Sequence, residues 1–314
     1  MKALVLESAK TLSLREVPLP ATSSNDLLIS VELASIGGSE YMAFNSPGLR
    51  SLPHIMGHGI AGMTPGDKRV AVYPLRSCLT CAYCQAGLMQ LCDKWSLIGV
   101  HSDGGFAQSV TVPKANLVDI PDTLSWEQTA FIEPFANAVN AWELAQAKPE
   151  DKIAVIGTGG LGLGLVALAS SYCGEVTAFD LSASRREIAS ELGASFVAPH
   201  LNGQFDVVFE TFGSVKSRTQ GVQLTKKGGK CVFMGFASQT LELDMSELIR
   251  QQKRLLGSFV YSRKQFCQAM KLAALCSPEW VTNVCFSEVE PLLRSYLKSD
   301  FGVVKAALRP QYAS

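Results

Sequence analysis

Four cysteines crowd one turn-rich stretch: Cys78, Cys81, Cys84 and Cys92, spaced C-x2-C-x2-C-x7-C. Four thiolates satisfy tetrahedral zinc and leave no open position for water or substrate, so the spacing predicts a structural site, one zinc per chain. Free or disulfide-linked thiols are the alternative. The other five of the nine cysteines are scattered singly among apolar residues, which fits buried thiols better than an oxidised framework.

A second constellation is AVIGTGGLGLG, in which Gly157, Gly159 and Gly162 form GxGxxG with Thr158, Gly160 and Leu161 between them. A β-branched strand precedes it and an apolar helical run follows. In that context the first glycine allows a tight turn, the second lets backbone approach a pyrophosphate, and the third permits close helix–strand packing. Asp180 closes the next strand, VTAFD, 23 positions after Gly157. A carboxylate there binds ribose hydroxyls and repels a 2′-phosphate, which favours NAD(H) over NADP(H). The alternative for Asp180 is the N-cap of the helix in SASRREIA, and Arg185 could partly rescue NADP(H).

These groups need a scaffold, and the pattern supplies two textures. Up to about residue 125 the chain reads as short strands, at 3–6, 27–33, 70–73 and 106–112, separated by Gly, Pro and Ser clusters. Then a helix gives way to strand–helix alternation: IAVIG, LGLVALASSY, VTAFD, SRREIASELGA, DVVFE, CVFMG. That order predicts an α/β doubly wound parallel sheet. A helix over 263–275 and a final strand in VVKAAL end the chain, and the tail resembles the front more than the middle.

With 314 residues, two domains are expected. Lys plus Arg and Asp plus Glu each total 28, so no basic field is offered to nucleic acid or anionic lipid, and a small-molecule substrate is the expected partner. The opening MKALVLESAK is too short an apolar run for a signal core or a spanning helix, which predicts a cytoplasmic protein without membrane association.

The cysteine lobe and the Gly-rich turn, in this order, make the sequence resemble the zinc-containing medium-chain dehydrogenase family, above all its sorbitol, threonine and polyol branch. SIGGSEY stands at the family's catalytic-cysteine motif, PHIMGHGIAG at its GHE motif, DGGFAQSVTVP at its DGGFAEY-like strand, and FIEPFANAVNA at its EPLA helix. The resemblance implies a GroES-like, mostly β catalytic domain over 1–136 and 262–314, with a zinc lobe at about 76–93. It also implies a Rossmann NAD(H)-binding domain over 137–261. Homodimers or homotetramers are common in that branch.

The resemblance also implies a catalytic zinc, and here the pattern breaks. Gly37 stands where the ligand cysteine belongs and Gly59 replaces the glutamate after His58. His58 and Glu133 remain, two ligands where catalytic zinc takes three, with His54 and Glu40 nearby. Glu40 matches the acid that orients the zinc histidine. Ser39 matches the proton-relaying hydroxyl, and Ser39, His58, Glu133 and Tyr41 form the expected catalytic set. The expected activity is interconversion of a secondary alcohol, polyol or modified sugar with its ketone, with the catalytic zinc weak or absent. The alternatives are metal-free reduction of an activated C=C or C=N bond, and dinucleotide binding without turnover.

Overall fold

The computed structural model describes residues 1–241, 243–297 and 302–312. The chain divides into two compact units, Met1–Glu133 with Cys276–Ser314, and Pro134–Leu275.

The first unit is built on antiparallel strands. Its long central strand, Asp26–Ile36, alternates inward Ile29, Val31 and Leu33 with less buried neighbours before becoming buried throughout at its end. It pairs antiparallel with Gly59–Met63, with Ser109–Pro113 and with Lys305–Leu308. The registers Ser35↔Gly59 and Ala307↔Ser35 put residues 35, 59 and 307 side by side across three strands. A smaller sheet is formed by Lys2–Ser8, Thr11–Glu16 and His54–Ile55. The expected strand at 106–112 begins only at Ser109. Phe106 instead sits in the loop before it, its backbone donating to the Met56 carbonyl and its ring fully buried.

The second unit is a six-stranded, wholly parallel sheet in the order Phe196–Ala198, Glu175–Phe179, Lys152–Ile156, Phe205–Glu210, Thr225–Phe233, Arg254–Gly257. Strand order reverses beside Lys152–Ile156, the first strand of the set, and at its carboxyl end lies the Gly-rich turn. That is the switch point at which such sheets bind ligands.

The expected junction at 261/262 moves to 275/276 for a packing reason. Helix Arg263–Ala273 buries Phe266, Ala269, Met270 and Ala273, one face at helical spacing, and the Gln265 amide donates to Asn140 Oδ1 in the same unit. The junction expected at 136/137 falls inside helix Ile132–Ala145; the units part between Glu133 and Pro134.

Candidate active site and metal lobe

The end of strand Asp26–Ile36 turns at Gly37 into helix Gly38–Asn45, and that turn aims two polar side chains inward. The Gly37 N–H donates to Glu40 Oε2 at 3.0 Å, and Ser39 Oγ donates to the same oxygen at 3.1 Å. His58, between strands His54–Ile55 and Gly59–Met63, places Nδ1 2.6 Å from Glu40 Oε1 and Nε2 3.4 Å from Glu133 Oε1. Ser39 Oγ lies 3.5 Å from His58 Nδ1. Glu133 stands in the first turn of helix Ile132–Ala145, where the helix dipole favours an anion. Three distant chain segments thus bring Ser39, His58 and Glu133 together with Glu40.

Both ring nitrogens of His58 face carboxylates, so the ring is an imidazolium. Burial alone would push its proton off, but Glu40 and then Glu133 outweigh burial and raise its pKa to about 10. Burial likewise disfavours the Glu40 carboxylate, yet the His58 charge holds it down at about 2. Glu133 is shifted down by the same partner against the same burial cost.

Tyr41 does not join this cluster in the way expected of a proton donor. Its ring stands edge-on to Tyr296, centroids 6.2 Å apart, packed against the core of the first unit. His54 is buried beside Asp103, Nδ1 to Oδ1 3.7 Å, on the strand leading to His58.

Lys305 was not singled out by sequence. It opens the final strand, is only 5 % exposed, and donates from Nζ to Ser35 Oγ and to the Ile36 carbonyl, both at 3.2 Å. Burial lowers its pKa, opposed by the charges of Glu40 and Glu133. The available signal was a lone charge in the otherwise apolar stretch VVKAAL.

The residues present do not fit a catalytic zinc. Among the described residues the single group of three or more metal-binding side chains is the cysteine cluster. Glycines at 37 and 59 supply no donor, and both nitrogens of His58 are engaged by carboxylates. A metal there would have to displace an ion pair with fewer than the usual three protein ligands.

The cysteine lobe does fit zinc. The sulfurs of Cys78, Cys81, Cys84 and Cys92 all lie within 4.8 Å of one another, and Cys78 Sγ is 4.0 Å from Cys84 Sγ. Zn–S bonds of about 2.3 Å give a tetrahedron with edges of about 3.8 Å. Backbone N–H groups already point at the sulfurs: Cys81 to Cys78, and Cys78 and Lys94 to Cys92, each at 3.3 Å. Such donors stabilise thiolates around a metal. The Thr80 hydroxyl also donates to Cys78, and with it the Cys78 pKa falls to about 5.

At the Gly-rich turn, Gly157 adopts φ +88°, and a Cβ on Gly162 would lie 1.9 Å from the Gly157 carbonyl oxygen, so both positions require glycine. A Cβ on Gly159 would meet nothing nearer than Arg185 Nη1 at 3.9 Å. Helix Gly160–Tyr172 starts here with no side-chain cap, which leaves the N–H groups of its first turn, Gly160 and Leu161 among them, without intrahelical acceptors. Asp180 accepts from Thr158 N–H and from Ser182 N–H, each at 2.8 Å. The cap of the following helix is Ser182, which accepts from Arg185 N–H, so Asp180 is not that N-cap.

Comparison with known proteins agrees with this anatomy. Residues 23–122 match the alcohol dehydrogenase GroES-like domain and residues 160–274 the zinc-binding dehydrogenase domain. The L-galactonate-5-dehydrogenase of Escherichia coli K12 is 30% identical over 299 residues, 87% of each chain. Among solved structures, a zinc-binding dehydrogenase of Sinorhizobium meliloti 1021 bound to NADP superposes with a TM-score of 0.88 at 28% identity, over 98% of this chain and 99% of that one. The alcohol dehydrogenase RspB of E. coli CFT073, complexed with NADH, gives 0.88 at 25% identity over 99% of both chains. With a GroES-like unit, a four-cysteine lobe and a six-stranded parallel sheet in one chain, the protein belongs to the zinc-containing medium-chain dehydrogenase family.

Proposed function

We propose that the protein is an NAD(H)-dependent oxidoreductase that interconverts a secondary alcohol of a polyol or sugar acid with its ketone, without a catalytic metal. The observation that carries this reading is the Ser39–Glu40–His58–Glu133 cluster in a chain of this family, at a site whose ligand positions are glycine. In the reducing direction the nicotinamide supplies a hydride to the carbonyl carbon, and the carbonyl oxygen needs one proton. His58 is the acid: its Nε2–H is held only loosely by Glu133 at 3.4 Å. Glu40 holds the other ring nitrogen and fixes the ring, while Ser39 supplies a hydroxyl beside it.

The cofactor is NAD(H), because the Asp180 carboxylate at the end of the second strand would meet a 2′-phosphate with like charge. The relatives include both an NADP-bound and an NADH-bound protein, so the choice rests on Asp180. Gly157, Thr158, Gly159, Gly160, Leu161 and Gly162 form the pyrophosphate turn, with Arg185 beside Gly159. No helix among the described residues is long and apolar enough to cross a membrane. We place the protein in a reducing cytoplasm, as a homodimer or homotetramer acting on a small molecule.

The test is a substrate panel of sugar acids, polyols, their keto forms, enones and imines with NAD+ or NADH, following absorbance of the reduced nicotinamide in chelator-treated protein that retains its lobe zinc. Turnover of secondary alcohols with one zinc per chain supports the reading. Turnover confined to enones or imines would favour the metal-free reductase, which the poor fit to catalytic zinc also accommodates. No turnover with any member, together with tight NADH binding, would leave a dinucleotide sensor.

A further inference from the structure

One edge of the Arg50 guanidinium is buried and bonded to nothing. Arg50 lies on the connection 46–53, between helix Gly38–Asn45, which carries Ser39 and Glu40, and strand His54–Ile55, which leads to His58. The connection turns at Pro47 and Gly48: Arg50 N–H donates to the Pro47 carbonyl at 3.3 Å, and Gly48 takes φ +64°. Arg50 Nε and Nη2 are both buried, and neither has a hydrogen-bond partner among the described residues. These two nitrogens form the side-on edge of the guanidinium, whose parallel N–H bonds match the two oxygens of a carboxylate.

The acids nearby are already used. Glu40 is the carboxylate whose charge acts on Arg50, yet its Oε1 holds His58 and its Oε2 accepts from Gly37 N–H and Ser39 Oγ. Asp103, the acid beside His54, accepts from Ile55 N–H at 3.0 Å. An arginine does not shed its proton, so the edge remains a buried cation without an anion, which is costly. Its surroundings add donors. Arg76 gives Nη2 to Ser102 Oγ at 2.8 Å and keeps a buried Nε without a partner, and the acid it acts on, Asp26, is bonded to Ser23. Burial above all, with the charge of Arg50 adding to it, holds His54 and His101 below the ordinary histidine pKa.

We propose that Arg50 binds the carboxylate of the substrate through Nε and Nη2, so that the substrate is a sugar acid and not a neutral polyol. This rests on the oxidoreductase reading above and deepens it by choosing the substrate class. The link to the reaction is short: Arg50 acts on Glu40, and Glu40 holds His58. A carboxylate on that edge ties down one end of the carbon chain and so restricts which hydroxyl meets the acid. Two donors answer two carboxylate oxygens, whereas a phosphate would leave a third oxygen and a second charge unanswered. Arg50 is a specificity residue and takes no part in proton transfer.

The test is steady-state kinetics with NAD+ on gluconate and galactonate, on glucitol and galactitol, and on the corresponding hexitol 1-phosphates, for wild type, Arg50→Lys and Arg50→Met. Wild type should favour an aldonate over its hexitol by about 100-fold in kcat/KM. Arg50→Met should lose that advantage through KM while the hexitol rate stays unchanged. Arg50→Lys keeps the charge that acts on Glu40 but not the fork, and should recover only part of the loss. Equal losses on aldonate and hexitol, the mark of a structural role, would overturn the proposal. So would a wild type that prefers the hexitol, or a loss confined to the hexitol 1-phosphates.

Calorimetric titration of the NADH-bound protein with the same aldonates needs no turnover. Binding by wild type that weakens about tenfold in Arg50→Lys, with an unchanged melting temperature, supports the site even where no alcohol is oxidised; the oxidoreductase reading alone then fails. No aldonate binding by wild type, or equal binding by wild type and both variants, would overturn the proposal and leave hydride transfer to neutral alcohols standing.

Discussion

His58 Nδ1 stands 2.6 Å from Glu40 Oε1, and this contact ties the strand turn before Gly59 to the first turn of helix Gly38–Asn45. The pair has a defined pH window. The His58 pKa is raised from 6.5 to about 10, so its contribution is full below pH 6.5 and disappears as pH rises through about 10. The Glu40 pKa is lowered from 4.5 to about 2, so its contribution is full above pH 4.5 and disappears as pH falls through about 2.

His58→Asn is therefore expected to cost the first unit about 3 kcal/mol between those two limits. Urea unfolding of wild type and variant from pH 5 to pH 10 checks this. The gap should be widest near pH 5 to 6 and close as pH approaches 10. A gap that stays constant across the range would show that His58 is held neutral.

Asp180 offers a second prediction. Its two oxygens already organise the Gly-rich turn through Thr158 N–H and Ser182 N–H, while each retains a lone pair for a ribose hydroxyl. Asp180→Ala should weaken NADH binding about tenfold, equivalent to about 1.4 kcal/mol, and NADPH binding less, because like-charge repulsion is removed along with the hydrogen bonds. Fluorescence titration with both dinucleotides reads the difference. Equal losses would reduce Asp180 to a brace for the loop.

Local signals in the chain were the most legible. The cysteine spacing needs only one lobe to fold, and the sulfurs do converge. GxGxxG needs only one strand, turn and helix, and it stands where the strand order of the parallel sheet reverses. Ser39, His58 and Glu133 could be gathered only through motif resemblance, because their meeting depends on three segments of the first unit. Tyr41 shows that neighbourhood in sequence does not give direction: on helix Gly38–Asn45 its ring goes to Tyr296 while Glu40 goes to His58. Lys305 was unreadable because its meaning depends on pairing across almost the whole chain. A lysine in a short terminal strand ordinarily turns its charge to water, and only the register with Ile36 puts this one beside Gly37.

Loss of the lobe metal should act locally. Cys92 is 1 % exposed and its sulfur accepts from two backbone N–H groups, so Cys92→Ser leaves three thiolates around an incomplete tetrahedron. The variant, or wild type stripped with a strong chelator, should be cut by trypsin within or beside the lobe, at Arg76 or Lys94, while the parallel-sheet unit keeps its NADH affinity. Intact resistance to cleavage in zinc-free protein would mean that the lobe is held by its own packing.

Ser39 and Glu133 separate ring orientation from acid tuning. Ser39 Oγ donates to Glu40 and lies beside His58 Nδ1, not Nε2, so Ser39→Ala should lower kcat about tenfold with little change in KM by loosening the Glu40–His58 pair. Glu133→Gln removes one of the two charges that raise the His58 pKa. The imidazolium should then lose its proton at lower pH, and the basic limb of the ketone-reduction profile should move the same way, since only protonated His58 can deliver the proton. Glu40 remains in place, so the shift should be partial. A basic limb that does not move while the rate falls would place the acid elsewhere than His58.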